Sequence, residues 1–395
     1  MTLITYNKQY IEKDDKLEVL HALGEEKITT GNQIIKFENN LKKYLGSKFI
    51  SCVNSGTSAI DLAIKSLGLK KGDIVIMPSI NFIASYNCAK NIGLKIYLTD
   101  VDPKSGQCRP EDVVSVIKKY NLKNVSLVIS MYLGGEPDNV IEFFKLKKKY
   151  NFFLMEDACH ALGGNYSYKN KKYKVGCSKH CDISTFSLHP LKTITAGEGG
   201  IISTNNKLIY KRVNLLRSHG ILRKKKYWNY DVTLNGYNFR MSDINAALGN
   251  SQLRKIDTFI KDRRETAKKY INKLVGLKDY CHLLIIDKKK LNQSAWHLLI
   301  MSINFKKLRT TKDNLIKFFI KKKIFLQVHY IPIYRFKVFK EKEKYKSLPG
   351  AEEYFRNCLS MPIFYKMRNS EIQFVFNTLV DFIKKNKRYK DKNSV

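Results

Sequence analysis

The sequence predicts an α/β protein: a mainly parallel sheet covered by helices, followed by a smaller α+β unit. Two observations carry that expectation. Up to about residue 200, short apolar runs alternate with segments of helical spacing. After about residue 240, a long helical stretch leads into a shorter mixed pattern. Continuous apolar runs separated by helices are the mark of parallel strands buried on both faces. The natural division is residues 1–255, an N-terminal segment with the large α/β domain, and 256–395, a bridging helix with the small domain.

The elements follow in order. KFISCVNS (48–55) is a short β-rich run. TSAIDLAIKSLGL (57–69) has apolar residues at helical spacing: Ala59, Ile60, Ala63, Ile64 and Leu67. DIVIMP (73–78) reads as a buried strand, NFIASYNCAKNIG (81–93) as a helix ended by Gly93, and KIYLTDV (95–101) as a strand. PEDVVSVIKKY (110–120) is a helix with proline at its start and acids in its first turn, as the helix dipole favours. NVSLVISMYL (124–133), VIEFFKLKKKY (140–150) and FFLMED (152–157) continue as strand, helix and strand. DISTFSL and GGIIST are further β-like segments around a Gly/Ser/Thr-rich loop. Residues 241–275 read as a long helix broken near Gly249. AWHLLIMSINF (295–305) and IFLQVHY (324–330) read as strands, KDNLIKFFIKKK (312–323) and EIQFVFNTLVDFIKKN (371–386) as helices, and KNKRYKDKNSV as a frayed tail.

Composition narrows the class. The chain has 395 residues, 44% hydrophobic and 12% aromatic, which excludes a wholly disordered protein and allows two or three domains. No apolar run approaches the ~18 residues of a membrane helix. The opening MTLITYNKQYIEKDDK is polar and acidic, unlike a secretory signal. Eight irregularly spaced cysteines argue against a disulfide framework and for a reducing, cytoplasmic setting. Cys177, His180 and Cys181 lie together, but no second ligand pair completes a zinc site, so no metal is expected. Lys+Arg number 72 against 35 Asp+Glu, a net charge of +37. Such a charge suits nucleic acid or an anionic surface, yet the lysines alternate with apolar residues as on solvated helix faces, without a recognition motif. Neither a nucleic acid nor a membrane is therefore the expected partner.

Three segments carry chemistry. Asn54-Ser55-Gly56-Thr57-Ser58 joins a strand to a helix. Gly56 allows close approach, and Thr57 and Ser58 offer hydroxyls and N–H groups at a helix N-terminus, which suits phosphate; ordinary N-caps look the same. Glu156-Asp157-Ala158-Cys159-His160 closes a strand where the crevice of a parallel sheet lies. A buried Asp157 needs a cationic partner such as a protonated pyridine nitrogen; the plainer reading is a helix cap. Ser187 through Gly200 place Lys192 in the Gly/Ser/Thr-rich loop, where a lysine of lowered pKa can form a Schiff base. Lys192, Asp157 and the Gly56-Thr57-Ser58 corner match the needs of pyridoxal 5'-phosphate (PLP).

At these residues the chain resembles the sugar-nucleotide aminotransferases of the fold-type-I PLP superfamily. The matching stretches are NSGTSA, KGDIVIMPSINFIAS, DVDP, EDACHALGG, FSLHPLKTITAGEGGIISTN, LRSHGI, YNFRMSDINAALGNSQL and QVHYIPIY. The resemblance covers nearly the whole chain and implies the fold of a PLP-dependent transferase. It assigns Lys192 as the catalytic lysine that bonds the cofactor and shuttles the proton. Asp157 would pair with the pyridine nitrogen, Phe82 would stack on the ring, and His160 would contact the ring or its O3′. Thr57, Ser58 and Ser187 would hold the phosphate, with Asn238 of a neighbouring subunit, which implies a homodimer with shared sites. Substrate contacts would come from Tyr6, Glu26, Lys27, Ile28, Thr29, Gly56, Tyr132, Gln327, Val328, His329 and Tyr330. Some relatives carry His in place of the lysine and act as dehydratases; this chain keeps Lys192.

Within that family, DACHALGG, FSLHPLK, GYNFR and LQVHYIPIY resemble the branch serving pseudaminic acid. That implies transfer of an amino group, from L-glutamate as in the family, to C4 of a UDP-linked 4-keto-6-deoxy-N-acetylhexosamine. The product would be UDP-4-amino-4,6-dideoxy-N-acetyl-β-L-altrosamine. Perosamine, legionaminic and bacillosamine types of 4-keto sugar are the alternatives, and a basic nucleic-acid-binding protein or a regulator without turnover is the alternative of another class. The LRKKK run at 222–226 reads as a solvated loop or a diphosphate contact, and Trp228 and Trp296 as packed or sugar-lining rings.

Overall fold

Helix caps and strand periodicity set the order of elements. The computed structural model describes residues 3–226, 228–284, 290–341, 345 and 348–392, with 388–392 by backbone alone. A two-residue strand β1 (Ile4–Thr5) and helices α1 (Lys13–Leu23) and α2 (Asn32–Leu45) come first. Then strands and helices alternate: β2 (Phe49–Val53), α3 (Gly56–Ser66), β3 (Ile74–Pro78), α4 (Ala84–Ile92), β4 (Lys95–Thr99), α5 (Pro110–Lys119), β5 (Val125–Met131), α6 (Val140–Tyr150) and β6 (Phe153–Asp157). A hairpin of β7 (Asn165–Tyr168) and β8 (Lys171–Lys174) precedes β9 (Ile183–Ser187), β10 (Gly200–Thr204) and α7 (Lys207–Arg217). A second hairpin, β11 (Ile221–Arg223) with β12 (Tyr230–Val232), leads to α8 (Asp243–Leu274). The C-terminal part holds β13 (Cys281–Leu283), β14 (Leu299–Ile303), α9 (Phe305–Leu308), α10 (Lys312–Lys321), β15 (Ile324–Phe325), α11 (Pro349–Asn357), β16 (Cys358–Met361) and α12 (Asn369–Lys392).

Seven strands form one sheet in the order β2-β10-β9-β6-β5-β3-β4. β9, β6, β5, β3 and β4 are parallel, and β10 runs antiparallel to both its neighbours. Side chains alternate between faces with the strand period of two. Val75 and Met77 of β3 join one core, whereas Ile76 joins another on the opposite side. Leu127 and Ile129 of β5 divide from Val128 in the same way. Both faces are thus apolar, as the continuous hydrophobic runs require. A further core surrounds the three-stranded sheet β13-β14-β16 and includes Ile4, because β1 pairs with β15.

Three expectations change. The helix from 243 is unbroken over 32 residues. Gly249 is there for packing: a Cβ would lie 2.8 Å from the ring of Phe37 on α2. IFLQVHY forms a strand only at Ile324–Phe325; from there the chain turns toward the sheet edge, with Gln327 bridged to Ser360. The tail is helical to Lys392 rather than frayed from Lys385.

Candidate active site

β2 and the parallel strands run in one direction, so their carboxyl ends share one edge of the sheet. That edge is where ligands of parallel sheets bind. A cavity of about 560 Å³ lies there. It brings together Tyr6, Gly56, Thr57, Phe82, Asp157, His160, Ser187, Lys192, Gln327, Val328, His329 and Tyr330.

The loop after β2 builds one wall. Ser55 caps α3, its Oγ accepting from Ser58 N at 3.1 Å and lying 2.9 Å from Ser58 Oγ. Ser58 is therefore spent on the cap and buried, while Thr57 is exposed to the cavity. At Gly56 a Cβ would come 2.8 Å from Ser187 Cβ and 3.0 Å from its Oγ. Glycine thus keeps open the corner between the α3 N-terminus and Ser187, which is the geometry an anion needs.

Asp157 ends β6 at 2% exposure. Its Oδ2 accepts from Ser85 Oγ at 3.0 Å and Asn81 Nδ2 at 3.4 Å, and its Oδ1 from Cys159 N at 3.3 Å. No cation pairs with it among the described residues. Lys192 stands half-buried in the same cavity, with no hydrogen bond at Nζ among the described residues. Burial pushes its amine below the ordinary lysine range, against the opposing pull of Cys159 and Asp157. A lysine of that kind is a competent nucleophile and base.

The opposite wall is imidazole and phenol. His160 Nδ1 accepts from Gly134 N at 3.3 Å, and Nε2 lies 2.9 Å from Tyr330 Oη. Both nitrogens are engaged, so His160 offers a ligand its ring face and not a hydrogen bond. Its ring lies 4.4 Å from that of His297. Burial, then the Lys192 charge, push His160 well below the usual histidine range; burial leads also at His297. His329 Nδ1 is 2.8 Å from Ser360 Oγ, and burial and Lys192 lower this ring to about 3. Tyr6 packs its ring 5.2 Å from His329. Phe82 stays 54% exposed beside Tyr330, a free aromatic face over the cavity.

Other named residues lie elsewhere in this chain. Tyr132 is buried behind the cavity, its hydroxyl donating to Glu156 Oε1 at 2.7 Å. Glu26, Lys27, Ile28 and Thr29 are exposed between α1 and α2, joined to the start of α8 by Asp243 N→Ile28 O. Asn238 is exposed and bridged to Ser218, apart from its own chain's cavity. The 222–226 run belongs to the exposed β11–β12 hairpin with Trp228, whereas Trp296 is packed, its Nε1 bonded to Leu291 O. His180 and Cys177 bond to the Tyr166 hydroxyl, and the described residues hold no cluster of three metal-ligating side chains. Ser55, His189 and Glu198 fall within the segments singled out in the sequence but were given no role of their own, whereas Asn81, Ser85 and His297 were missed. Asn81 and Ser85 lie on either side of Phe82 in SINFIAS, where with Ser79 they are the polar residues of an apolar stretch, and that was their only signal.

The residues fit pyridoxal phosphate. There is an open cradle at a helix N-terminus, a buried carboxyl group ringed by donors, a lysine without a hydrogen-bond partner among the described residues, and an exposed aromatic face. Comparison with known proteins points the same way. The family model described as DegT/DnrJ/EryC1/StrS aminotransferases matches residues 9–380. A Campylobacter jejuni protein named UDP-4-amino-4,6-dideoxy-N-acetyl-β-L-altrosamine transaminase is 34% identical over 386 residues, 98% of this chain and 99% of the relative. A GDP-perosamine synthase of Escherichia coli O157:H7 is 32% identical over 356 residues, 89% of this chain and 90% of the relative. The solved Helicobacter pylori aminotransferase involved in pseudaminic acid biosynthesis superposes with a TM-score of 0.88 at 27% identity, covering 97% of this chain and 100% of that one. The chain therefore belongs to the DegT/DnrJ/EryC1/StrS aminotransferase family, whose cofactor is pyridoxal phosphate.

Proposed function

We propose that this aminotransferase moves an amino group from L-glutamate to C4 of a UDP-linked 4-keto-6-deoxy-N-acetylhexosamine, giving UDP-4-amino-4,6-dideoxy-N-acetyl-β-L-altrosamine. The observation that carries the reading is Lys192: an amine lowered by burial, without a hydrogen-bond partner among the described residues, in one cavity with Asp157 and the Gly56–Thr57 corner. Bound pyridoxal phosphate supplies an electron sink and carries the amino group between donor and acceptor. Asp157 would meet its ring nitrogen, Phe82 would pack on the ring, and Thr57 with Ser187 would hold the phosphate. Lys192 Nζ holds and delivers the proton that the sugar carbon gains. Tyr6, Gln327, Val328, His329 and Tyr330 face the sugar. The sugar assignment is supported by the Campylobacter jejuni relative.

The site is completed in a homodimer. Asn238 and the Glu26–Thr29 segment lie outside their own chain's cavity and would reach the partner's. Apolar side chains stand exposed beside both: Leu20 at 63% on α1, and Trp228 at 61% by the β11–β12 hairpin. Sedimentation equilibrium should give about twice 45.9 kDa; a monomer at working concentration refutes shared sites.

The deciding experiment is a panel of 4-keto sugar nucleotides with L-glutamate, following 2-oxoglutarate and product mass. Turnover confined to a GDP-linked 4-keto-6-deoxyhexose would favour the second reading, motivated by the perosamine synthase relative. Full turnover by Lys192→Ala would overturn both.

A further inference from the structure

Behind Lys192 lies a buried cation that the chemistry above does not use. Arg263, on α8, is 2% exposed, and no carboxylate hydrogen-bonds it among the described residues. Its three bonds go to neutral oxygens: Nη1 to Trp296 O at 3.3 Å and Ile363 O at 3.0 Å, and Nη2 to Asn7 Oδ1 at 2.9 Å. Burial lowers its guanidinium to about 10. An interior charge without a counter-charge is costly. What an aliphatic side chain could not do in that place is tie three separate segments together.

Asn7 passes the tie on. It is 2% exposed and all four of its hydrogen-bonding positions are used. Oδ1 accepts from Arg263 and from Lys8 N at 2.9 Å. Nδ2 donates to Leu191 O at 2.7 Å and His297 O at 3.3 Å. Leu191 precedes Lys192, and the His297 ring packs on His160, so both walls of the cavity are held from one amide.

We infer that Asn7 and Arg263 are positioning residues for the reacting amine: Arg263 fixes the Asn7 amide, and Asn7 fixes the peptide that carries Lys192. The inference rests on the aminotransferase reading only in taking Lys192 as the reacting group. Neither residue touches substrate, so loosening them moves the amine without changing what binds. A shift of about 1 Å at a reacting group costs about 10²-fold in rate.

Two variants test this. Asn7→Ala removes both donations. Arg263→Met keeps most of the volume and removes the charge together with all three hydrogen bonds. Both should lower kcat by about 10²-fold and leave KM for the sugar nucleotide within about twofold, in protein that remains folded. A second readout needs no turnover. Amine-reactive labelling of Lys192 in cofactor-free protein, followed by peptide mass spectrometry, should show its pH midpoint moving up toward ordinary lysine in both variants. The groups facing Lys192 (Asp157, Cys159, His160, His297, His329 and Tyr330) are unchanged in them. Parental kcat in both variants, or an unchanged labelling midpoint, overturns the inference. So does unfolding of Arg263→Met, which would make Arg263 a stabilising group instead. Lys192→Ala serves as control: if it retains turnover, the functional reading fails; if it is inactive while the two variants are normal, only the clamp fails.

Discussion

Tyr330 has a hydrogen to give away. Gly134 N–H makes His160 Nδ1 an acceptor, so the neutral ring carries its proton on Nε2 and donates it to Tyr330 Oη. The phenol O–H is then free for an acceptor oxygen in the cavity. Tyr330→Phe should lower kcat/KM about tenfold or more, since it removes that donor and orphans the buried His160 N–H. A variant within twofold of the parent in steady-state kinetics would remove the role. Gly56→Ala should weaken cofactor retention, because its Cβ would enter the corner beside Ser187; equilibrium dialysis of pyridoxal phosphate measures this. Asp157 and Lys192 were legible in the sequence because each sits in a short local motif. Asn7 and Arg263 were not: they are 256 positions apart, and each looks ordinary in its own segment. Ser85 reaches Asp157 over 72 positions, and no pattern within α4 announces it.

Element types were mostly readable because the buried strands are continuous apolar runs and the helices carry their own periodicity. Gly249 shows where reading from one segment fails. A glycine inside a helical pattern signals a break when only local propensity is weighed. Here the ring of Phe37, on another helix, needs the space instead. Gly249→Val should therefore destabilise the fold by about 3 kcal/mol through overpacking, measured by urea denaturation; an unchanged midpoint would mean the helices can separate freely at that point. The segment 324–330 misled for a related reason. Its alternation is strand-like, but only Ile324 and Phe325 pair as a strand; Gln327 makes a single bridge to Ser360, and Gln327 to Tyr330 line the cavity.

For the molecule as a whole, three buried neutral imidazoles set the acid limit. His160, His297 and His329 all have folded values below the ordinary 6.5, His329 at about 3. As pH falls below 6.5 the unfolded chain binds protons that the folded chain refuses, so stability rises with pH across that window and is lost on acidification. The loss is about 1.4 kcal/mol per pH unit for each such histidine. Melting curves between pH 7 and pH 5 should fall steeply, and His297→Asn should flatten the slope; a flat profile in the parent would show that these rings are charged in the fold. The net charge of +37 fits the same picture of a solvated exterior: Lys145, Lys148 and Lys149 on α6 are exposed while Ile141 and Phe143 face inward.

The reversed strand has a consequence for how the chain assembles during synthesis. At the edge of the seven-stranded sheet β2 pairs with β10, with Phe49 opposite Thr204 and Val53 opposite Gly200. Roughly 150 residues must leave the ribosome between the two before that edge can close, and such distant pairings are slow to form. The Gly56–Thr57 corner begins three residues after β2, so that wall of the cavity matures late, after the parallel strands have found one another. On refolding, recovery of pyridoxal phosphate binding should lag the return of helical circular dichroism, and adding the cofactor early should leave the first phase unchanged.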